Sequence, residues 1–129
     1  MNIRFNYEYD CGGHVYEHNI DIEKEEFEND KLLMLVCAYM QTWGGYPGKE
    51  IDEYLHNRFP NVHTTDDMLG FGLYNVYSCE IDGLKDFYEI ADGELGLSFN
   101  EGKEWIKKEC KIYNESCKGK RREGFSIWN

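Results

Sequence analysis

Apolar and polar positions alternate with period two at the start of the chain. In residues 2–9 (NIRFNYEY), Ile3, Phe5, Tyr7 and Tyr9 fall on one side and Asn2, Arg4, Asn6 and Glu8 on the other, the pattern of a half-buried strand. Asp10–Gly13 (DCGG) supplies a turn whose glycines permit positive φ. Residues 14–22 resume the alternation with Tyr16, His18, Ile20 and Ile22, so the pair reads as an antiparallel hairpin. The period then lengthens. Asp21–Met40 (DIEKEEFENDKLLMLVCAYM) is dense in carboxylate as far as Asp30 and dense in hydrocarbon from Leu32 onward. It reads as a helix capped by Asp21, with acids that complement the positive N-terminus, or as a short acidic turn followed by a helix restarting at Asn29 or Asp30. Both readings bury Leu32, Leu35, Val36, Tyr39 and Met40, and both stop before Gly44-Gly45.

Pro47 opens a second helix over Lys49–Phe59, where Ile51, Tyr54, Leu55 and Phe59 make an amphipathic stripe that Pro60 ends. Thr64 or Thr65 caps a short acidic turn through Asp66 and Asp67. Beyond Gly70-Phe71-Gly72, the dipeptides Asp82-Gly83 and Asp92-Gly93 each suit a tight hairpin turn. They divide residues 73–99 into three expected strands: 73–81, 84–91 and 94–99. Asn100 then caps a helix over Glu101–Cys117, with Ile106, Cys110, Tyr113 and Cys117 inward, Trp105 beside them, and Lys103, Lys107, Lys108 and Lys111 outward. A basic tail, KGKRR at 118–122, is closed by Phe125, Ile127 and Trp128. The order ββααβββα, with strands and helices in runs, implies a single α+β domain over residues 1–129: a mostly antiparallel sheet packed against two or three helices.

Composition supports a packed domain: 41% of residues are hydrophobic and 16% aromatic, enough for a substantial core. The apolar stretch 32–40 is far short of the roughly 20 residues that cross a bilayer, and MNIRFNYEYD has no signal-peptide pattern, so a soluble, cytoplasmic protein is expected. Five cysteines without a CxxC pair read as reduced thiols rather than a disulfide framework. Charge changes the picture more. The net charge is −11, but residues 1–100 hold 20 acidic and 6 basic side chains (−14) while residues 101–129 hold 5 and 8 (+3). An acidic body of this kind repels nucleic acid and anionic membrane and attracts basic protein surfaces.

Candidate chemistry is sparse. Cys11, His14 and His18 are zinc-compatible side chains, but on a regular strand the two histidines stand about 13 Å apart, so neither a metal nor a cofactor is expected. Pairing Cys79 or Cys11 with His56 or His63 as a nucleophile has no local support. The GFG at 70–72 lacks the spacing and the lysine of a phosphate loop. Carboxylate pairs are guaranteed by 25 acids and carry no information without a cleft. The loop WGGYPG (43–48) offers Trp43 and Tyr46 as interaction anchors, the residue types that dominate hot spots.

The acids therefore carry the functional expectation. Asp21–Asp30 has company in Glu50/Asp52/Glu53, Asp66/Asp67 and Glu80/Asp82/Asp86. In charge and size the chain resembles small acidic inhibitors of nucleic-acid enzymes: toxin immunity, anti-restriction and anti-CRISPR proteins, which occupy the cationic groove where nucleic acid would lie. The resemblance implies a non-enzymatic inhibitor of a basic nuclease or nucleic-acid-binding protein. It would contact that partner through Glu23, Glu25, Glu26, Glu28, Asp30, Trp43, Tyr46, Glu50 and Glu53, without itself binding nucleic acid or membrane. Two other readings stand beside it: a small ligand-binding or enzymatic domain with a site between sheet and helices, and self-association through the aromatic C-terminus.

Overall fold

In a computed structural model, backbone is described for residues 1–9, 14–45, 47–60 and 74–128, and side chains for 1–6, 17–45, 47–60 and 78–118. The order is β1 (Asn2–Tyr9), β2 (His14–Asp21), α1 (Lys24–Asn29), α2 (Lys31–Thr42), α3 (Lys49–Arg58), β3 (Tyr74–Glu80), α4 (Phe87–Ile90), a π turn (Ala91–Leu95) and α5 (Phe99–Trp128). The fold is α+β, with an antiparallel three-stranded sheet in the order β2-β1-β3. The hairpin register aligns Ile3 with Ile20 and Phe5 with His18, while β1 also pairs with β3, aligning Phe5 with Cys79. Alternation does the sorting. Ile3, Phe5 and Cys79 are fully or almost fully buried beneath the helices. The opposite face is a polar ladder in which Asn2 Nδ2 donates to Asn19 Oδ1 (3.0 Å), Asn6 Nδ2 to Ser78 Oγ (3.0 Å), and Arg4 pairs with Glu80 and Asp82.

Helix α2 is the centre of the molecule. Leu33, Leu35, Val36, Cys37, Ala38 and Met40 are all fully buried, so it is apolar almost all round, as a helix with neighbours on several sides must be. Each large apolar side chain taken out of water here contributes about 1.5–3 kcal/mol. The second of the two readings of Asp21–Met40 is the correct one. Asp30 breaks the segment, its Oδ1 accepting from Leu33 N–H (3.1 Å) as the cap of α2. Asp21 instead ends β2 as the partner of Asn2. Leu32 and Tyr39 prove half-buried and Leu33 fully buried. Helix α3 buries Ile51, Tyr54 and Leu55, close to its expected span.

Residues 84–99 correct the expected meander: 73–81 contains β3 (Tyr74–Glu80), but 84–91 and 94–99 are not strands. Phe87, Ile90 and Ala91 recur at i, i+3 and i+4 and are all buried, whereas a strand would send Glu89 inward with Phe87 and Ala91. An Asp-Gly pair marks a turn without fixing it as a hairpin. Gly83 does take positive φ (78°) in a turn, but β3 then pairs with distant β1. Asp92-Gly93 lies inside the π turn, which ends at Gly96 (φ 65°), with Leu97 N–H returning to Ala91 O (3.1 Å).

The cap of α5 is also corrected. Ser98 Oγ accepts from Glu101 N–H (3.3 Å) while Glu101 Oε1 accepts from Ser98 N–H (3.0 Å), a reciprocal capping box in place of Asn100. Gly102 permits the close approach of α5 to α4, since a Cβ there would stand 3.1 Å from Ala91 Cβ and 3.2 Å from Phe87 Cζ. The α5 stripe is as expected in burying Ile106 and Cys110, and it also buries Asn114, whose Nδ2 donates to Glu50 O (3.0 Å) and whose Oδ1 accepts from Asn57 (2.9 Å). The helical backbone continues past Cys117 to Trp128.

Candidate partner-binding surface

Helix α1 has one buried side chain, Phe27, which anchors it and leaves its carboxylates in solvent. They are not equivalent. Arg58 Nη2 donates to Glu26 Oε1 (3.0 Å), and Arg58 Nε lies 3.7 Å from Asp30 Oδ2. The guanidinium also rests over the Phe59 ring, 5.0 Å from its centroid. Burial pulls the Arg58 pKa down, but the hydrogen bond to Glu26 and the surrounding negative charge more than offset it, so the net shift is upward. Glu26 and Asp30 thus tie the end of α3 to the α1–α2 joint. Lys24 Nζ sits 3.9 Å from Glu28, an exposed i,i+4 pair. Glu23 and Glu25 are exposed and make no ion pair among the described residues.

The remaining expected contacts lie elsewhere. Trp43 is 54% exposed and packs at a tilt against Phe99 (5.5 Å between centroids) at the C-terminal end of α2. Twelve helical residues separate that end from α1, about 18 Å at 1.5 Å per residue. Glu50 and Glu53 are half-buried on α3, where the Glu50 backbone serves Asn114. Tyr46 lies outside the described residues. The structure therefore gathers Glu23, Glu25, Glu26, Glu28 and Asp30 at one end, and does not bring Trp43, Glu50 or Glu53 to them.

Other acids join the α1 set instead. Between α1 and residues 81–94 runs a groove of about 570 Å³. Its floor is Phe27, Met34, Ile81, Leu84 and Ile90; Glu28, Asp82, Glu89 and Glu94 line its rim, with Lys24 and Lys85. On the other flank of α1 a second hollow, about 510 Å³, is lined by Ile20, Ile22 and Phe59 with Asp21, Glu23, Glu26 and Arg58. Met1 lines both, so α1 is a ridge between them. The far bank is fixed by Arg4, which holds Asp82 (3.2 Å) and Glu80 (3.3 Å) and has its own pKa raised by the hydrogen bonds to Asp82 and Glu80. Glu89 and Glu94 escaped the sequence reading because a strand assignment hid which side of the chain they occupy. The 3.6-residue spacing of Phe87, Ile90 and Ala91 was the signal that places Glu89 and Asp92 outside.

Reactive side chains do not converge here. Among the described residues neither hollow is lined by His, Cys, Ser or Thr. The described cysteines (Cys37, Cys79, Cys110 and Cys117) are free thiols. Burial holds the Cys79 and Cys110 pKa values well above the ordinary thiol range, and Cys79 Sγ faces Met40 Sδ at 3.9 Å, an inert core contact. His56 Nε2 is 3.8 Å from Asp52, and His18 is exposed on the edge strand. Among the described residues no three His, Cys, Asp or Glu side chains group to hold a metal ion, and no helix is long and apolar enough to cross a membrane. Cys11, His14, His63 and the GFG segment lie outside the described side chains. Comparison of the chain with known protein families, with curated proteins and with solved structures gives no match in any of the three.

Proposed function

We propose that this chain is a small acidic binding protein that inhibits a basic nuclease or other nucleic-acid-binding protein by covering its cationic site, in the manner of immunity, anti-restriction or anti-CRISPR proteins. The observation that carries the reading is the groove beside α1. It combines an apolar floor with carboxylates supplied by two separate parts of the chain. Such a surface offers a cationic partner both long-range attraction and an apolar seat, the combination that speeds encounter and then slows release. Glu23 at the start of α1 and Glu25 and Glu28 on it, with Asp82, Glu89 and Glu94 opposite, are the contact residues of this reading. Glu26 and Asp30 belong to the scaffold, and Trp43 is at most a contact to a large partner.

The test compares proteins of the source cell retained by the wild-type chain and by an Asp82→Lys/Glu89→Lys/Glu94→Lys variant. The expected result is retention of a basic nucleic-acid-binding protein at about 0.05 M salt, its release at about 0.5 M, and no retention by the variant. Added wild-type chain should also displace nucleic acid from that protein. Identical retention by both chains, or a captured protein whose nucleic-acid binding is untouched, contradicts the proposal.

A further inference from the structure

We infer that the groove beside α1 receives the basic, aromatic C-terminal segment of a second copy of this chain. The groove is lined by the exposed carboxylates Glu28, Asp82, Glu89 and Glu94 against the two cations Lys24 and Lys85, and the exposed Glu80, Asp86 and Asp92 of the same 80–94 stretch add negative charge near it. Its floor is apolar and includes the half-buried Met34 and Leu84. A ligand that fits has cations for the wall and large apolar groups for the floor.

The chain carries one segment of that composition. Residues 118–128 (KGKRREGFSIW) place Lys118, Lys120, Arg121 and Arg122 ahead of Phe125, Ile127 and Trp128. The backbone there continues α5. Positions 118, 121, 122, 125 and 128 are spaced i, i+3, i+4, i+7 and i+10, one stripe of a helix, with cations at its start and aromatics at its end. This is the arrangement by which an amphipathic helix enters a groove.

The same helix excludes its own groove. Helix α5 begins against the 81–94 segment, where Gly102 faces Ala91 and Phe87, and reaches α3 further along, where Tyr113 meets Tyr54 (5.0 Å). Beyond Tyr113 the axis advances about 22 Å to Trp128 at 1.5 Å per residue. A helix continued along that axis carries the segment further from residues 81–94 of its own copy. The groove of another copy has no such restriction. Exchanged reciprocally, the contact closes a two-fold dimer.

Sedimentation or light scattering of the full chain over a concentration series is the direct test, with no partner present. The wild-type chain should self-associate, weakening at least tenfold when salt is raised. Glu89→Lys/Glu94→Lys and Arg121→Glu/Arg122→Glu should each weaken association tenfold or more, and the four changes together should restore it by exchanging the charges across the contact. A labelled peptide of residues 118–129 should bind the full chain saturably and compete with self-association, which covers the case of a poorly folded variant. A chain that stays monomeric and ignores the peptide overturns the inference, as does a four-fold variant no better than either pair. The inference is separable from the proposed partner, since Phe125→Ser/Trp128→Ser should abolish self-association and leave the groove open to a basic protein.

Discussion

Two stretches of this chain carry the same charge and meet different fates. Asp21–Asp30 holds six carboxylates and one lysine, and residues 80–94 hold six and one as well. In the first, Glu26 and Asp30 are held by Arg58, Glu28 by Lys24, and Asp21 lies 3.9 Å from the amino terminus. In the second, Arg4 holds Glu80 and Asp82, while Asp86, Glu89, Asp92 and Glu94 make no ion pair among the described residues. The run that is densest in the sequence is the one the fold uses most. Its acids cap α2 and fasten α3, whereas the more dispersed set faces outward along a groove. Charge density along a chain therefore locates an acidic region without saying which of its members remain available to a partner.

That contrast can be broken most sharply at Asp30. Asp30→Ala removes the cap bond to Leu33 and the ion pair with Arg58, and should lower stability by about 2 kcal/mol, read as a shift in the urea midpoint at constant slope. Asp30→Asn keeps an acceptor for Leu33 N–H and should cost about half as much. Equal losses would mean that the cap contributes nothing. Glu26→Lys puts a second cation against Arg58 and should cost about 1 kcal/mol. On the other bank, Glu89→Lys/Glu94→Lys should move stability by less than about 0.5 kcal/mol, because neither residue holds the fold. A loss comparable to that of Asp30→Ala would abolish the distinction between the two regions.

The smallest effect concerns an acid outside both. Hydrogen bonds from Ser98 hold the Glu101 carboxyl below the ordinary carboxylate range. Its folded pKa is depressed, so its contribution is present above the unfolded value of about 4.3 and fades as pH falls through the folded one. The difference in midpoint between wild type and Glu101→Gln should accordingly narrow on acidification. A constant difference would show that the carboxylate form is not what the cap requires.

Much of the scaffold was legible because local pattern and tertiary need agreed. Ile3 and Phe5, the α2 hydrocarbon run, and Ile51, Tyr54 and Leu55 are buried where their periods place them. Residues 84–99 were not, because β-type residues between two Asp-Gly dipeptides satisfy a hairpin rule in a segment too short to show a helical period plainly. What decides it is long-range: Phe87 fits between Tyr39 and Phe99, at centroid distances of 5.3 and 5.5 Å, and against the missing side chain of Gly102. The site was legible to the same degree. The exposed acids of 21–30 could be read, but Arg58 stands 32 residues from Glu26 and nothing local links them. Trp43 and the α1 acids look adjacent along the chain, and the length of α2 separates them.

The most direct measurement sets the two regions side by side against one ligand. Retention of the basic nucleic-acid-binding protein that the proposal expects the wild-type chain to capture should be compared for Glu89→Lys/Glu94→Lys and for Glu26→Gln/Asp30→Asn, both checked as folded by circular dichroism. The first pair should lose the partner at about 0.05 M salt while keeping wild-type stability, and the second should keep the partner while losing stability. Retention by the first pair and loss by the second would contradict the account.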